Sequence, residues 1–342
     1  YQPAKRGAAR AASPSPGGTT PTRPTPAAKP AYGTGPTFGT KPGFGTKPTF
    51  APKPPLGGKV AGGAKPVAGG KGPPGPAARG TGTPPPTDWA AVADWYDKLV
   101  GDEGSEYHQK VIFPGVLRLL APKPGDPILD VACGQGALAR LLAAKGAVVT
   151  GVDAAEPLVR AAVARGPADA SYHVGDARKL DEVPGVAAGT FAAAACVLAI
   201  QNINPIGPVF AGVAAALRPM GRLVLVMMHP CFRGPKETSW GWDEQTGSQY
   251  RRVDRYLMPR KEPIITHPGS DPLGYTWTFH KPIEQYVKAL RGAGLLVDAI
   301  EEWASHKVSQ PGPRATVENL AREEIPMFMA IRAVKVGGAA GE

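Results

Sequence analysis

An acidic residue followed by a glycine turn occupies residues 128–136, which read Ile-Leu-Asp-Val-Ala-Cys-Gly-Gln-Gly. The apolar residues around Asp130 predict a strand. Gly134 and Gly136 let the chain bend sharply and approach a ligand closely, because a glycine carries no Cβ atom. Residues 137–145 then predict a helix that ends at Gly146. Strand, turn and helix together indicate a pocket for a nucleotide cofactor.

Two cofactor classes use such a turn. Gly134, Gly136 and Ala139 satisfy the loose dinucleotide fingerprint, which is a weak signal by itself. Asp130 argues against a dinucleotide, because a carboxylate at the end of the strand repels a pyrophosphate. The same carboxylate attracts a cationic ligand, so the sequence favours a cofactor that carries positive charge near the turn.

Two further predicted strands end in acidic residues. Residues 147–152 are mostly apolar and lead to Asp153, where a carboxylate can accept hydrogen bonds from both hydroxyls of a ribose. The alternative is a solvated loop carboxylate. Residues 170–174 form the next predicted strand and lead through Gly175 to Asp176 and Ala177. The two acid-ended strands that lead to Asp130 and Asp153, at this spacing, favour ligand binding.

The residues from Asp130 to Gly136 resemble motif I of the class I S-adenosylmethionine-dependent methyltransferases, in the small-molecule form Asp-x-Ala-Cys-Gly-x-Gly. Ala132 is a departure, since many members of the family have glycine there. The resemblance implies S-adenosyl-L-methionine as cofactor and an Asp176 carboxylate that faces the adenine amino group. The cofactor-binding residues expected from it are Asp130, Ala132, Gly134, Gln135, Gly136, Asp153, Ala154, Asp176, Ala177 and Cys196.

The remaining predicted elements agree with an α/β fold. Further strands are expected at residues 190–197, 222–228, 295–301 and 326–334, and helices at 156–166, 208–217 and 283–294. This order predicts a doubly wound, Rossmann-like, mostly parallel sheet of seven strands. The resemblance, and not the periodicity, implies that the last strand is antiparallel.

Composition separates a tail from this domain. Residues 1–87 contain twenty prolines, eighteen glycines and twelve of the 39 Lys and Arg residues, but none of the 28 Asp and Glu residues. Such a segment cannot form a core and is expected to be disordered. Residues 88–336 are expected to form the methyltransferase domain, with an insertion at 229–281, and residues 337–342 a disordered C-terminus. The net charge of +11 therefore comes from the tail.

The tail leaves several interpretations open. A polybasic segment can attract nucleic acid or an anionic surface, and only residues 1–87 offer such binding; a solvated extension without a partner is the alternative. The composition favours a cytoplasmic protein without a transmembrane segment. An acid-free tail permits an organelle transit peptide, although its glycine and proline content fits one poorly. The chain begins with Tyr1, which leaves open whether residues precede it.

Cysteine and histidine patterns do not predict a metal site. Cys133, Cys196 and Cys231 follow predicted strands without the paired spacing of a zinc or redox centre, so reduced thiols are expected. Cys196 could line the cofactor through its backbone or be a small packed hydrophobe. His229 directly follows the fifth strand, where it could take a proton from a hydroxyl or an amine as the catalytic base; a structural hydrogen bond is the alternative.

The acceptor side is expected to come from two segments that decorate the sheet. In similar methyltransferases the region corresponding to residues 89–120 covers the cofactor. The insertion at 229–281 contains eight of the 24 aromatic residues, which suggests an apolar substrate chamber or, alternatively, a small satellite core. The aromatics are Phe232, Trp240, Trp242, Tyr250, Tyr256, Tyr275, Trp277 and Phe279.

The sequence therefore predicts methyl transfer by in-line displacement to a small, aromatic or otherwise apolar molecule, through oxygen, nitrogen or carbon. Two alternatives stay open: an RNA or protein methyltransferase recruited by the basic tail, and a binding protein without catalysis that acts through the tail. DNA-amine and glutamine substrates are discounted, because the fourth strand ends in Cys-Val-Leu-Ala and lacks the Asn/Asp-Pro-Pro-Tyr segment.

Overall fold

Strands and helices alternate along the chain in a computed structural model that describes residues 89–267 and 271–337. The described strands are β1 (Pro127–Val131), β2 (Val148–Asp153), β3 (Ala170–Val174), β4 (Phe191–Val197), β5 (Leu217–Met228), β6 (Thr238–Asp243), β7 (Ser248–Val253), β8 (Arg260–His267), β9 (Asp271–His280), β10 (Leu295–Trp303) and β11 (Phe328–Lys335). The expected tail at 1–87 and residues 338–342 of the expected disordered C-terminus lie outside the described residues.

Seven of these strands form the central sheet, in the order β10-β11-β5-β4-β1-β2-β3. Neighbouring strands from β5 to β3 pair in parallel, whereas β11 is antiparallel to both β5 and β10. The predicted seven-stranded, doubly wound sheet with an antiparallel last strand is confirmed. Its first βα units leave the carboxyl ends of β1, β2, β3 and β4 at one edge, where such sheets bind ligands.

The described helices of eight residues or more are α1 (Ala93–Val100), α2 (Phe113–Leu120), α4 (Glu156–Arg165), α5 (Gly207–Ala216), α6 (Ile283–Gly292) and α7 (Ala315–Glu324); α3 (Ala137–Ala143) has seven. A turn of π-helix at His108–Ile112 leads into α2. Helices α3 to α6 agree with the predicted helices to within a few residues. Helix α7 and the strands β6 to β9 of the insertion were not among the predicted elements.

Side-chain alternation along the central strands builds an apolar layer on each face of the sheet. Leu129 and Val131 of β1 pack with α5 and α6, whereas Ile128 packs with α2 and α3 on the opposite face. Both layers are buried, because crossover helices cover both faces of a parallel sheet. Asp130 alternates with Leu129 and Val131 and therefore points to the same face as Ile128.

Strand β5 begins earlier than predicted. A turn was expected at 218–221 and a strand from 222, but β5 starts at Leu217, which pairs with Phe191 before a register shift. Met220 lies in this segment with a φ of 62° and an exposed side chain. The residues of the predicted turn therefore lie at the register shift between Leu217 and Arg222, which both pair with β4.

The insertion forms two hairpins that are separate from the central sheet. β6 pairs with β7, and β8 pairs with β9, each antiparallel. No described helix is long and apolar enough to cross a membrane.

Candidate functional site

The glycine turn between β1 and α3 contains three residues with left-handed backbone. Ala132, Gly134 and Gly136 have φ values of 56°, 56° and 81°. Glycine adopts this conformation without a steric penalty, whereas for alanine it costs about 1–2 kcal/mol. Ala132, the departure from the family pattern, therefore keeps the backbone conformation that a glycine would favour there.

The carboxylate of Asp153 holds this turn from the next strand. Its Oδ2 atom accepts a hydrogen bond from the Gly134 backbone N–H at 2.8 Å, and its Oδ1 atom accepts one from the Ala155 N–H at 2.8 Å. Burial raises the pKa of Asp153 above its usual value, and the two N–H groups oppose that rise. The end of β2 and the turn after β1 are thus tied together at the sheet edge.

Asp130 has a buried carboxyl group, one oxygen of which receives no hydrogen bond from the residues that the structure describes. Ala139 supplies a backbone hydrogen bond, but no donor in the described part of the chain reaches Oδ2. Burial, followed by the repulsion of Asp153, raises the pKa of Asp130 to about 8. Asp130 lines a small cavity of about 30 Å³ beside Tyr96, His108 and Gln135. A cationic or hydrogen-bond-donating group at this position would stabilise the ionised carboxylate.

A larger cavity of about 320 Å³ lies over the carboxyl ends of β1, β2 and β4 and the turn after β3. This volume is in the range of small-molecule and cofactor sites. Six predicted cofactor residues line it, namely Ala132, Gly134, Asp153, Ala154, Asp176 and Ala177. It shares Tyr96, Ala132 and Val197 with the smaller cavity, so the two are adjacent.

The other four predicted cofactor residues lie outside the lining of the larger cavity. Asp130 and Gln135 line the smaller one, and the Gln135 side chain donates to Gly101 O at 2.6 Å and accepts from Arg140. Gly136 faces Tyr172 and Ala162, which a Cβ atom would approach to 3.0–3.1 Å. Cys196 is buried in the apolar layer with α5, in agreement with the packing interpretation.

Asp176 is paired within its own loop. Its carboxylate accepts from the backbone N–H of Arg178 at 2.9 Å and from the Arg178 guanidinium at 2.6 Å. Partial burial acts to raise the pKa of Asp176, but the hydrogen bonds from Arg178 outweigh it and the pKa is lowered. Asp176 is therefore an ionised acceptor that Arg178 orients at the cavity wall.

His229, the predicted catalytic base, lies outside the lining of both cavities. Its ring is buried, and Nε2 lies 2.7 Å from a carboxylate oxygen of Glu302 on β10. Nδ1 accepts from the backbone N–H groups of Cys231 and Phe232, at 3.2 and 3.4 Å. Both ring nitrogens thus take part in hydrogen bonds within the protein, as expected if His229 has a structural role. This geometry gives no support to a role in proton transfer.

A His229→Ala substitution is expected to lower the free energy of unfolding by about 1–3 kcal/mol, because two backbone N–H groups lose their acceptor. Cofactor affinity is expected to stay within about twofold, because no cavity contact is lost. Chemical denaturation and calorimetric titration of the same preparation measure the two quantities. A stable variant that binds cofactor normally but has lost methyl transfer would instead favour the catalytic role.

The aromatic residues of the insertion divide between two surroundings. Trp277 and Phe279 of β9 line the larger cavity. Trp240 stacks on Arg233 and Arg251, Trp242 lies under Arg314, and Tyr250 is 48% exposed. The part of the insertion that lines the larger cavity is therefore the β8–β9 hairpin, whereas Trp240 and Trp242 on β6 make cation–π contacts with arginines outside the cavity lining.

Several cavity residues were not candidates from sequence alone. Trp89 and Tyr96, in the segment expected to cover the cofactor, do line the cavity, and their rings make an edge contact at 5.4 Å. Lys261 on β8 and the amides Asn202 and Asn204 also line it. No motif marks Lys261, because a lysine in a hairpin has the same local pattern whether it faces a cavity or solvent.

Part of the chain is similar to known methyltransferases. Residues 128–221 match the family model described as a methyltransferase domain. The chain is 30% identical over 177 residues to demethylmenaquinone methyltransferase of Beutenbergia cavernae, a match that covers 52% of this chain and 68% of the relative. It is 34% identical over 140 residues to nocamycin O-methyltransferase of Saccharothrix syringae, covering 38% of this chain and 48% of that protein.

The fold has relatives among solved structures. An S-adenosylmethionine-dependent methyltransferase from Mesorhizobium loti superposes with a TM-score of 0.52 at 26% identity, covering 65% of this chain and 96% of that one. The chain spans only about half of the nocamycin enzyme that it matches. The family and the cofactor class predicted from the sequence are confirmed: the chain belongs to the class I S-adenosylmethionine-dependent methyltransferases.

Proposed function

We propose that this protein transfers a methyl group from S-adenosylmethionine to a small molecule with an aromatic or otherwise apolar body. The observation that carries the proposal is one cavity with two chemically different walls. The glycine turn and the carboxylates of Asp153 and Asp176 form one wall, and Trp277 and Phe279 with Lys261 form the other. The acidic wall suits a cationic cofactor, and the aromatic wall suits a planar acceptor.

The residues present fit the cofactor. One buried carboxyl oxygen of Asp130 receives no hydrogen bond from the described part of the chain. In the adjacent turn, a Cβ atom at position 134 would lie only 3.2 Å from the Tyr96 ring. A residue larger than glycine at 134 would therefore narrow the space between the turn and Tyr96. The carboxylates of Asp130 and Asp153 together favour a positively charged ligand.

The chain's own residues would act mainly by aligning the cofactor with the acceptor. Asp153 would accept hydrogen bonds from the ribose hydroxyls, and Asp176 with the backbone of Ala177 would bind the adenine edge. The backbone of Ala132, Gly134 and Ala154 would approach the cofactor closely, and Gln135, Gly136 and Cys196 would support the turn and strands from outside the cavity. Trp89 and Tyr96, which line the cavity, would cover the bound cofactor. When bound, S-adenosylmethionine supplies a methyl group on a positively charged sulfur.

Relatives support a small acceptor. Two proteins similar to this chain are named for methyl transfer to demethylmenaquinone and to nocamycin. Both are small molecules, and neither name fixes the acceptor of this protein. The basic segment that would recruit RNA or another protein lies outside the described residues, so no structural contact favours those substrates.

Titration calorimetry with the full chain tests the proposal. We expect micromolar binding of S-adenosylmethionine and no competition by a nicotinamide dinucleotide. A screen of small aromatic acceptors, with RNA and total protein as parallel arms, then follows the transfer of a labelled methyl group. Absence of S-adenosylmethionine binding, or transfer to the macromolecules alone, would overturn the proposal.

A further inference from the structure

The β8–β9 hairpin presents one face to the cavity. Lys261 pairs directly with Phe279, and Pro263 pairs with Trp277, so these four residues share a face of the hairpin. Thr276 and Thr278 alternate with them and are buried on the other face. The register of the hairpin therefore brings one ammonium group and two aromatic rings to the same wall.

The charge of Lys261 has no carboxylate partner among the side chains that the structure describes. Its Nζ atom lies 3.9 Å from the centre of the Trp277 ring and 5.9 Å from that of Phe279. Arg178, the other cation of the cavity lining, is neutralised by Asp176 at 2.6 Å. Two nearby cations do have carboxylate partners: Lys236 lies 2.8 Å from Glu262, and Arg260 lies 4.0 Å from Glu237. Lys261 is therefore the cation of this wall that can pair with a ligand.

The described cavity lining also offers no evident proton acceptor for a neutral hydroxyl. Asp153 and Asp176 are the carboxylates proposed to bind the cofactor; Asp153 also holds the Gly134 and Ala155 N–H groups, and Asp176 pairs with Arg178, so neither is assigned to the acceptor. Burial raises the pKa of Tyr96, which keeps its phenol protonated. Asn202 and Asn204 are neutral amides without basic character. An acceptor that enters already ionised needs no base from the protein.

We propose that the acceptor is a planar organic acid, which binds as its oxyanion to Lys261 with its ring system against Trp277 and Phe279. This inference rests on the proposed function and narrows its substrate class. The acceptor oxygen forms a bond to the methyl carbon while the carbon–sulfur bond breaks, and the electron pair of that bond remains on sulfur. The anion and the sulfonium charge cancel, so the products are a neutral O-methyl compound and a neutral thioether, without release of a proton.

Charge cancellation gives a physical reason for this pairing. Opposite charges attract more strongly in a partly enclosed cavity than in bulk solvent. The acidic wall would hold the cationic cofactor and Lys261 the anionic acceptor, so each charge is stabilised by its own wall before transfer. The aromatic rings contribute apolar contact area that is independent of charge.

Binding of two matched probes to the full chain tests the inference. 2-Naphthoate carries the planar body and the oxyanion, and 2-naphthamide has nearly the same shape without the charge. Each is titrated into the protein with and without S-adenosylhomocysteine. The variants are Lys261→Met, which removes the charge at similar length, and Lys261→Arg, which keeps it. Thermal unfolding confirms that each variant is folded.

We expect the wild-type protein to prefer naphthoate over naphthamide by about five- to tenfold, the size of a charge-assisted contact in a half-enclosed site. Lys261→Met should abolish the preference by weakening naphthoate alone, and Lys261→Arg should retain most of it. Equal binding of both probes to the wild type, equal loss of both in Lys261→Met, or no naphthoate binding at millimolar concentration would overturn the inference.

The two proposals fail in different ways. If the wild-type protein shows no preference for naphthoate but binds S-adenosylmethionine normally, the acidic acceptor is ruled out and the proposal of methyl transfer stands. If S-adenosylmethionine does not bind, the proposal of methyl transfer is ruled out, whatever the result with the two probes.

Discussion

Replacement of Asp153 by alanine is expected to weaken S-adenosylmethionine binding by about 100-fold or more. The substitution removes the proposed acceptor for the ribose hydroxyls and releases the Gly134 and Ala155 N–H groups that the carboxylate now holds. A hydrogen bond to a charged group contributes about 1.5–3 kcal/mol, and each 1.4 kcal/mol is a factor of ten in affinity. Titration calorimetry of the full chain measures the change.

Matched variants separate binding from folding. Asp181→Ala removes an exposed carboxylate in the short helical segment after Asp176 and should leave the affinity unchanged. Asp153→Asn keeps one acceptor oxygen and should give an intermediate affinity. Chemical denaturation identifies any loss of the folded state in Asp153→Ala. If that variant is folded and binds S-adenosylmethionine like the wild type, Asp153 is not a cofactor residue.

Asp130→Asn is expected to change how stability depends on pH. The ordinary pKa of this carboxyl is 3.8, and burial with the charge of Asp153 raises its pKa in the folded state to about 8. Between these values the folded state binds a proton that the unfolded state has released. Stability therefore falls as pH rises, by at most about 1.4 kcal/mol per pH unit from this one group. The amide of the variant does not titrate, so this decrease should disappear.

Denaturant unfolding of the wild type and of Asp130→Asn at pH 5 and pH 7 gives the change in stability with pH for each protein, and the effect is the difference between these two changes. Other titrating groups, such as His108 with its pKa lowered to about 4 by burial, are common to both proteins and largely cancel. The variant should gain about 2 kcal/mol relative to the wild type between the two pH values. If the stabilities of the two proteins instead change in parallel between pH 5 and pH 7, Asp130 is ionised in the folded state over this whole range.

The same substitution is expected to weaken S-adenosylmethionine binding, because the cationic ligand loses a buried carboxylate. A variant that is more stable at pH 7 and binds its cofactor less well is a pattern that a purely structural carboxyl would not produce. The two measurements on Asp130→Asn therefore test its structural and binding roles together.

Local sequence was sufficient for the cofactor half of the fold. The strand, glycine turn and helix from β1 to α3 were predicted because their pattern depends on residues near one another in the chain. Asp153 and Asp176 follow consecutive strands, and parallel strands put their carboxyl ends at one edge. Placing Asp153 beside Gly134 thus required no knowledge of distant contacts, although the hydrogen bond between them could not be read from the sequence.

Tertiary structure decided the residues whose environment comes from far along the chain. A histidine after β5 has the same local pattern whether it faces the cavity or the interior, and Glu302, 73 residues away, holds His229 outside the cavity lining. Lys261 meets Trp277 only through the register of the β8–β9 hairpin. The sequence by itself determined the family, the cofactor edge and the turn, because strand periodicity and glycine conformation are local properties. The aromatic wall proposed for the acceptor was decided by long-range packing, which no short motif encodes.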